Sequence, residues 1–271
     1  MDTRAILHNY TYVFDFENEF VHQKTRTWMQ DNWTVGFYLV GLYVLFIFLG
    51  QRWMKPKARF ELRGPLTAWN MLLALFSIVG ACRTVPELIH TLRYHGIYNT
   101  ICLRAYIEDD KVSGFWTWLF VLSKVPELGD TVFIVLRKQP LIFLHWYHHA
   151  TVLLYSWFSY TEYTASARWF VTMNYCVHSL MYGYYALRSM GFKPPRRIAM
   201  LITTLQLSQM VMGCYVNLLA GQYLDKGAVC HTTPLNIKLS LCMYFSYFVL
   251  FARFFYKAHM LGGARQKRKA A

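Results

Sequence analysis

The sequence predicts an all-α, polytopic membrane protein with seven transmembrane helices. Three observations carry that prediction. Apolar residues make up 55% and aromatic residues 18% of the 271 positions. They gather into stretches close to the ~20 residues a helix needs to cross a ~30 Å hydrocarbon core. Most of the basic residues fall between those stretches rather than inside them.

Hydropathy places the spans at roughly 34–51, 66–82, 115–136, 141–160, 167–188, 197–220 and 234–256. A lumenal arm, 1–33, precedes them, and a cytosolic tail, 257–271, follows, leaving 34–256 as one membrane domain. The arm carries Asp15, Glu17, Glu19 and Asp31 and has no apolar signal-peptide core, so the first span is expected to act as its own membrane signal. That span is the most lipid-like of the seven. In the third, Pro126 is expected to kink the helix or loosen its hydrogen bonding.

The net charge of +14 could suit nucleic acid, but no basic helix or zinc pattern accompanies it. Topology accounts for it better. With the N-terminus lumenal and the C-terminus cytosolic, the segments 52–63, 137–138, 188–197 and 257–271 hold sixteen Lys and Arg against nine on the other side. Asn9-Tyr10-Thr11 is then a glycosylation acceptor on the lumenal arm, whereas Asn32-Trp33-Thr34 lies too close to the membrane to be reached. Lys267 and Lys269 have the placement of a dilysine retrieval signal for the endoplasmic reticulum membrane. The six cysteines lack CxxC spacing, and Cys176, Cys214 and Cys242 fall within spans, so inert thiols are expected rather than a disulfide framework.

Within span four, His145, His148 and His149 share one helix face. Ionisable groups at membrane depth are costly and mark function. A rise of ~1.5 Å per residue puts His148 ~12 Å below the cytoplasmic end of its span, and His178 of span five ~15 Å. Glu127 and Asp130 of span three come to ~15 and ~10 Å, and Gln206 of span six to ~14 Å. Four helices therefore place polar groups in one layer. Glu127 and Asp130 are i,i+3 neighbours, with Lys124 and Thr131 near the same face, and a carboxylate there could orient a histidine. A Lys124–Glu127 ion pair that only supports packing is the structural alternative. Asn174, His178, Met181, Tyr182 and Tyr185 form a helical stripe, which for Tyr182 reads first as core. Thr203, Gln206 and Gln209 could equally be interhelical hydrogen-bonding groups.

Two chemistries fit such a layer. A di-metal desaturase or oxidase could use the HxxHH spacing, but such a site needs about eight ligands and the spans supply four histidines. Imidazole can instead act directly, as a nucleophile on a thioester and as a base.

The motifs Lys124-x-Pro-Glu-Leu-x-Asp-Thr131, His145-x-x-His-His149, Asn174-x-x-x-His178-x-x-Met-Tyr-x-Tyr-Tyr185 and Thr203-x-x-Gln206-x-x-Gln209 occur in an order that resembles the ELO family, the very-long-chain fatty acid elongases. The resemblance runs from about Trp28 to Gly263. The stretch Leu136 to His149 is similar to the branch acting on saturated and monounsaturated chains, the elongase 6 and 3 types. It implies 3-ketoacyl-CoA synthase activity, an acyltransferase condensing malonyl-CoA with a long-chain acyl-CoA, with CO2 and CoA released. It also implies seven helices, six of them a barrel around an acyl tunnel and the first packed outside. His148 would accept the acyl group and His178 would assist condensation, with His145 and His149 completing the box. Lys124, Arg137, His145, Tyr184, Thr203 and Gln206 would contact CoA or the thioester, and Glu127, Asp130 and Asn174 would support them. No cofactor and no metal is implied. The reductases and dehydratase of the elongation cycle, and a further copy of the chain, are possible partners. Bulky side chains near the lumenal ends of the spans are expected to set chain length.

Overall fold

A computed structural model of the protein describes residues 8–257. All regular structure among them is helical. The expected dilysine signal at Lys267 and Lys269 lies outside the described residues, as does most of the tail.

Two short helices, α1 (Asp15–Asn18) and α2 (His22–Asn32), form the arm. The long helices follow: α3 (Val35–Met54) and α4 (Arg63–Cys102), then a single turn, α5 (Ala105–Glu108). The third apolar stretch is divided into α6 (Lys111–Ser123), a 3-10 turn over Pro126–Leu128, and α7 (Gly129–Leu136). The remainder are α8 (Phe143–Glu162), α9 (Ala167–Met190), α10 (Arg196–Asp225) and α11 (Pro234–Phe255). Four helices, α3, α4, α10 and α11, are long and apolar enough by themselves to cross a membrane. α6, α8 and α9 are interrupted or carry the polar groups of the site.

The boundaries have local causes. Pro126 cannot donate to a carbonyl one turn back, and the chain tightens to i+3 bonding between α6 and α7, as its presence predicted. α8 ends on Tyr163 in the left-handed conformation and α9 on Gly191, also left-handed, where glycine has no Cβ to clash. Thr233 caps α11 by accepting from the Asn236 amide at 3.1 Å, and Pro234 occupies the first turn, where its missing N–H costs nothing.

α4 departs most from expectation. It continues past the span 66–82 as far as His95, where Gly96, at φ 78°, kinks it, and a final short piece ends at Cys102. It packs most closely on α9. Gly80 makes that approach possible, because a Cβ there would sit 2.4 Å from the Tyr175 ring. The Tyr175 hydroxyl then donates to the Trp116 carbonyl (2.8 Å), tying α9 to α6 as well.

Three features at the end distant from the histidine layer correct the sequence reading. Cys102 and Cys230, 128 residues apart, form a disulfide joining the end of α4 to the connection before α11. No short spacing could have announced it. Cys176, Cys214 and Cys242 are free, as are the thiol groups of no other described residue but Cys82. Arg168, one of the nine basic residues counted on the lumenal side, is 2% exposed, with Nε 3.2 Å from Glu87 and donating to the Asn99 and Leu103 carbonyls. Glu17, part of the polar arm, is fully buried, accepting from Arg83 (2.8 and 2.5 Å) and from the Trp116 indole (2.7 Å). Burial pushes its carboxyl up, but Arg83, the Phe14 amide and Trp116 outweigh that and hold it below the ordinary range. Asn9, by contrast, is exposed, as an acceptor of glycan requires.

The disulfide closes a large loop, and loop-closure entropy gives it about 4–5 kcal/mol of expected stabilisation. Replacing Cys102 by Ser is expected to lower the thermal midpoint in detergent by roughly 10 °C. A midpoint equal to that of the parent, with the parent migrating identically with and without reductant, would show that the two thiols are unpaired.

Candidate active site

A cavity of about 720 Å³ opens among α7, α8, α9, α10 and α11. Its wall includes His145, His148, His149 and His178, together with Asn174, Asp130, Arg137, Tyr184, Thr203 and Gln206. The polar layer expected from depth alone is therefore one contiguous surface. Lys124 and Glu127 stand just behind that wall.

The three box histidines touch: His145 and His149 ring centroids are 4.5 Å apart and those of His148 and His149 5.4 Å. Their environments differ. His145 Nε2 shares a 2.9 Å hydrogen bond with Thr131 Oγ1, which in turn lies 2.7 Å from the Tyr43 hydroxyl of α3. The lipid-like first span thus reaches the site through one buried tyrosine, a role that its sequence did not announce. His149 is buried, with Nε2 3.9 Å from Asp130 Oδ2 and Nδ1 without a partner. His148 lies against the Tyr247 ring (4.9 Å) and faces Phe251 at 6.4 Å, with no side-chain restraint on its nitrogens.

His178 is held from its own helix. Asn174, one turn earlier, places Nδ2 3.2 Å from His178 Nε2. Asn174 Oδ1 in turn accepts from Lys124 Nζ at 3.4 Å, and Lys124 is paired with Glu127 Oε1 at 2.7 Å. Ser123 donates to the same Glu127 oxygen (2.8 Å), while Oε2 has no partner. The expected Lys124–Glu127 pair exists, and it does more than join two neighbours, since it continues through Asn174 to His178.

Asp130 is oriented by two donors, the Trp69 indole at 2.6 Å and the Tyr182 hydroxyl at 2.8 Å. Tyr182, expected as plain core, is both core and carboxylate anchor. Thr203 returns its hydroxyl to the Ala199 carbonyl (3.0 Å), and Gln206 donates to Met181 Sδ (3.4 Å). These two line the cavity without a strong polar partner. Arg188, absent from the sequence-level candidates, joins Arg137 on the wall. Among the described residues no three His, Cys, Asp or Glu side chains are grouped to hold a metal ion.

A second, narrow cavity of about 60 Å³ shares His148, Asn174, Gln209 and Met210 with the first. It runs along α8 past Val152, Tyr155, Ser156 and Ser159 to Tyr163. At ~1.5 Å per residue the two ends lie ~22 Å apart. Of the four histidines, His148 alone lines both the wide cavity, or vestibule, and the narrow one, or passage.

Residues 28–269 match the family model described as ELO, GNS1/SUR4 family. Very long chain fatty acid elongase 6 of Drosophila melanogaster is 62% identical over 98% of this chain and 85% of its own length. Very long chain fatty acid elongase 6 of Homo sapiens is 49% identical over 95% of this chain and 96% of its own. Very long chain fatty acid elongase 3 of Homo sapiens is 41% identical over 98% and 97%. With four helices apolar enough to span a bilayer, a box of histidines on one cavity wall and this likeness along nearly the whole chain, the protein is a multi-pass membrane protein of the ELO family, a fatty acid elongation enzyme.

Proposed function

We propose that the protein is the condensing enzyme of microsomal elongation, a 3-ketoacyl-CoA synthase acting on long-chain saturated or monounsaturated acyl-CoA. The observation that carries this reading is the meeting of the two cavities at His148. The vestibule, with Arg137 and Arg188 on its wall, suits a CoA headgroup, because guanidinium groups bind phosphate by paired, charge-assisted bonds. The passage suits an alkyl chain, each buried methylene contributing ~0.8 kcal/mol. A thioester bridging the two would present its carbonyl to His148.

The chemistry then proceeds in two halves. A His148 nitrogen attacks the thioester carbonyl, forming an acyl–imidazole bond and breaking the carbon–sulfur bond. The proton shed by the ring goes to the departing thiolate. Malonyl-CoA next loses CO2, and the electron pair of the broken carbon–carbon bond attacks the acyl-imidazole carbonyl. The carbon–nitrogen bond breaks, and a proton taken up from the site restores the ring. His178, oriented by Asn174, is placed to hold the second thioester, with Tyr184, Thr203, Gln206 and the Lys124 pair positioning CoA and the reacting groups. His149 and Asp130 orient the box. No metal and no organic cofactor takes part in this scheme.

Seven membrane crossings, with α6 and α7 joined as one, complete the proposed architecture: six around the passage and α3 outside. The disulfide supports the proposed orientation, because such bonds persist in an oxidising compartment. Tyr163 donates to the His22 carbonyl and Arg26 to the Thr161 carbonyl, so the N-terminal arm packs on the end of α8, which supports a lumenal arm beside the disulfide. Phe251 and Phe254, in the last turns of α11, line the vestibule, which supports a cytosolic C-terminal end.

Labelled malonyl-CoA incubated with membranes containing the protein and a panel of acyl-CoA esters tests the reading. Label in a product two carbons longer than the acceptor is expected, and incorporation no higher than in membranes lacking the protein would refute it.

A further inference from the structure

Buried helical threonines ordinarily return their hydroxyl protons to a carbonyl one turn earlier. In this chain Thr84 donates to the Gly80 carbonyl at 2.8 Å, and Thr151 to Tyr147 at 2.7 Å. Thr131 of α7 does otherwise. Its Oγ1 makes two bonds, both to side chains of other helices: the Tyr43 hydroxyl of α3 at 2.7 Å and His145 Nε2 of α8 at 2.9 Å. Tyr43 and Thr131 are buried, and neither hydroxyl has a further partner among the described residues.

The direction of these bonds follows from the number of protons. A hydroxyl has one proton to give, and Thr131 has two neighbours. If His145 donated from Nε2 and Thr131 donated to Tyr43, the phenol proton would be left buried with no acceptor. If both neighbours donated to Thr131, its own proton would be stranded instead. A buried donor without a partner forfeits the bond it made in water. Only when Tyr43 donates to Thr131, and Thr131 to His145 Nε2, does every proton of the chain find an acceptor. A neutral imidazole that accepts at Nε2 carries its proton on Nδ1. His145 lies on the vestibule wall, and with Nε2 turned to Thr131 its Nδ1–H is the group left to meet a substrate. It stands one turn before His148, a spacing that sets side chains about 5–6 Å apart.

We propose that Tyr43 and Thr131 are positioning residues of the condensation. They fix His145 as the Nδ1–H tautomer, which donates a hydrogen bond to the thioester oxygen as negative charge develops there. The inference rests on the condensing-enzyme reading, and it gives α3 a part in the reaction. No proton is transferred in this contact. The N–H bond of His145 stays whole, and its dipole meets an oxygen that becomes an oxyanion when His148 attacks.

Tyr43→Phe tests the chain by removing one oxygen and no packing. Thr131 is then free to donate to a carbonyl and to accept from Nε2, so the other tautomer gains. In the full-length protein in membranes, kcat is expected to fall about ten-fold, with KM for acyl-CoA within about two-fold of the parent. Thr131→Val should lose at least as much, and Thr131→Ser, which keeps the hydroxyl, should keep most of the rate. Because Tyr43 acts only through Thr131, Tyr43→Phe combined with Thr131→Val should be no slower than Thr131→Val alone. A Tyr43→Phe protein as fast as the parent, or losses that multiply in the double variant, overturns the proposal. The tautomer can also be read apart from activity, by nitrogen NMR of the parent protein carrying isotope-labelled histidine. Nδ1 of His145 is expected to be protonated and Nε2 bare. The reverse overturns the proposal even if Tyr43→Phe and Thr131→Val fail to fold. Absence of elongation by a parent that shows the expected tautomer would instead refute the condensing-enzyme reading.

Discussion

His148→Ala is expected to reduce malonyl incorporation at least about 10³-fold, because removing a nucleophile eliminates the pathway rather than weakening it. The fold should survive. His148 is only half-buried, lines a cavity and makes no side-chain hydrogen bond, so truncation enlarges an existing space. His178→Ala should be comparably inactive for a different reason, and the two variants separate by their intermediates. Incubated with acyl-CoA alone, the parent and His178→Ala should gain the mass of one acyl group, whereas His148→Ala should not. An adduct persisting in His148→Ala would move the attachment site to another residue. A His148→Ala protein, correctly folded, that elongates at the parental rate would remove imidazole from the mechanism altogether.

That the box of His145, His148 and His149 was legible in the sequence follows from the cost of placing imidazoles in hydrocarbon, while the choice of His148 among them came from the family resemblance. Three on one helix face demand a common purpose, and depth counting from span ends located His178 and Gln206 on the same level. What spacing along one helix could not supply is which neighbour restrains which ring. Asp130 was expected to orient a histidine. It does stand 3.9 Å from His149, but its strong partners are Trp69 and Tyr182, contributed by helices distant in sequence. The chain from Tyr43 through Thr131 to His145 was equally out of reach, because a tyrosine in a lipid-like span carries no local mark of its inward direction.

The far end was the least legible, for a related reason. Hydropathy ended the second span at residue 82 because Arg83, Glu87, His90 and Arg93 follow. In the structure α4 simply continues, with Arg83 held by Glu17 and Glu87 by Arg168. Charges that are paired when folded look like loop charges in a sequence. The same holds for Cys102 and Cys230, whose pairing depends on the fold bringing the end of α4 to the connection between α10 and α11. Pro126 was readable because its effect is local and covalent: a missing donor interrupts a helix wherever it sits.

Lys124→Met is expected to carry the largest stability effect of any single substitution near the site, about 3–5 kcal/mol. Lys124 is 2% and Glu127 3% exposed, so removing the ammonium leaves a carboxylate buried with only Ser123 to stabilise it. The thermal midpoint in detergent should fall by roughly 10 °C or more. Replacing both partners, Lys124→Met with Glu127→Leu, should recover most of that loss, since an apolar pair of similar volume does not need the desolvation of either charge. A double-mutant cycle should thus return a coupling of at least about 2 kcal/mol, and additive effects would show that the two groups act independently. Activity should separate from stability in the same variants. With Lys124 gone, Asn174 Oδ1 loses its donor and the amide that meets His178 Nε2 can turn, so the restabilised double variant should remain slow. If it elongated acyl-CoA as fast as the parent, the ion pair would be a packing device alone, and the route from Lys124 through Asn174 to His178 would have no part in catalysis.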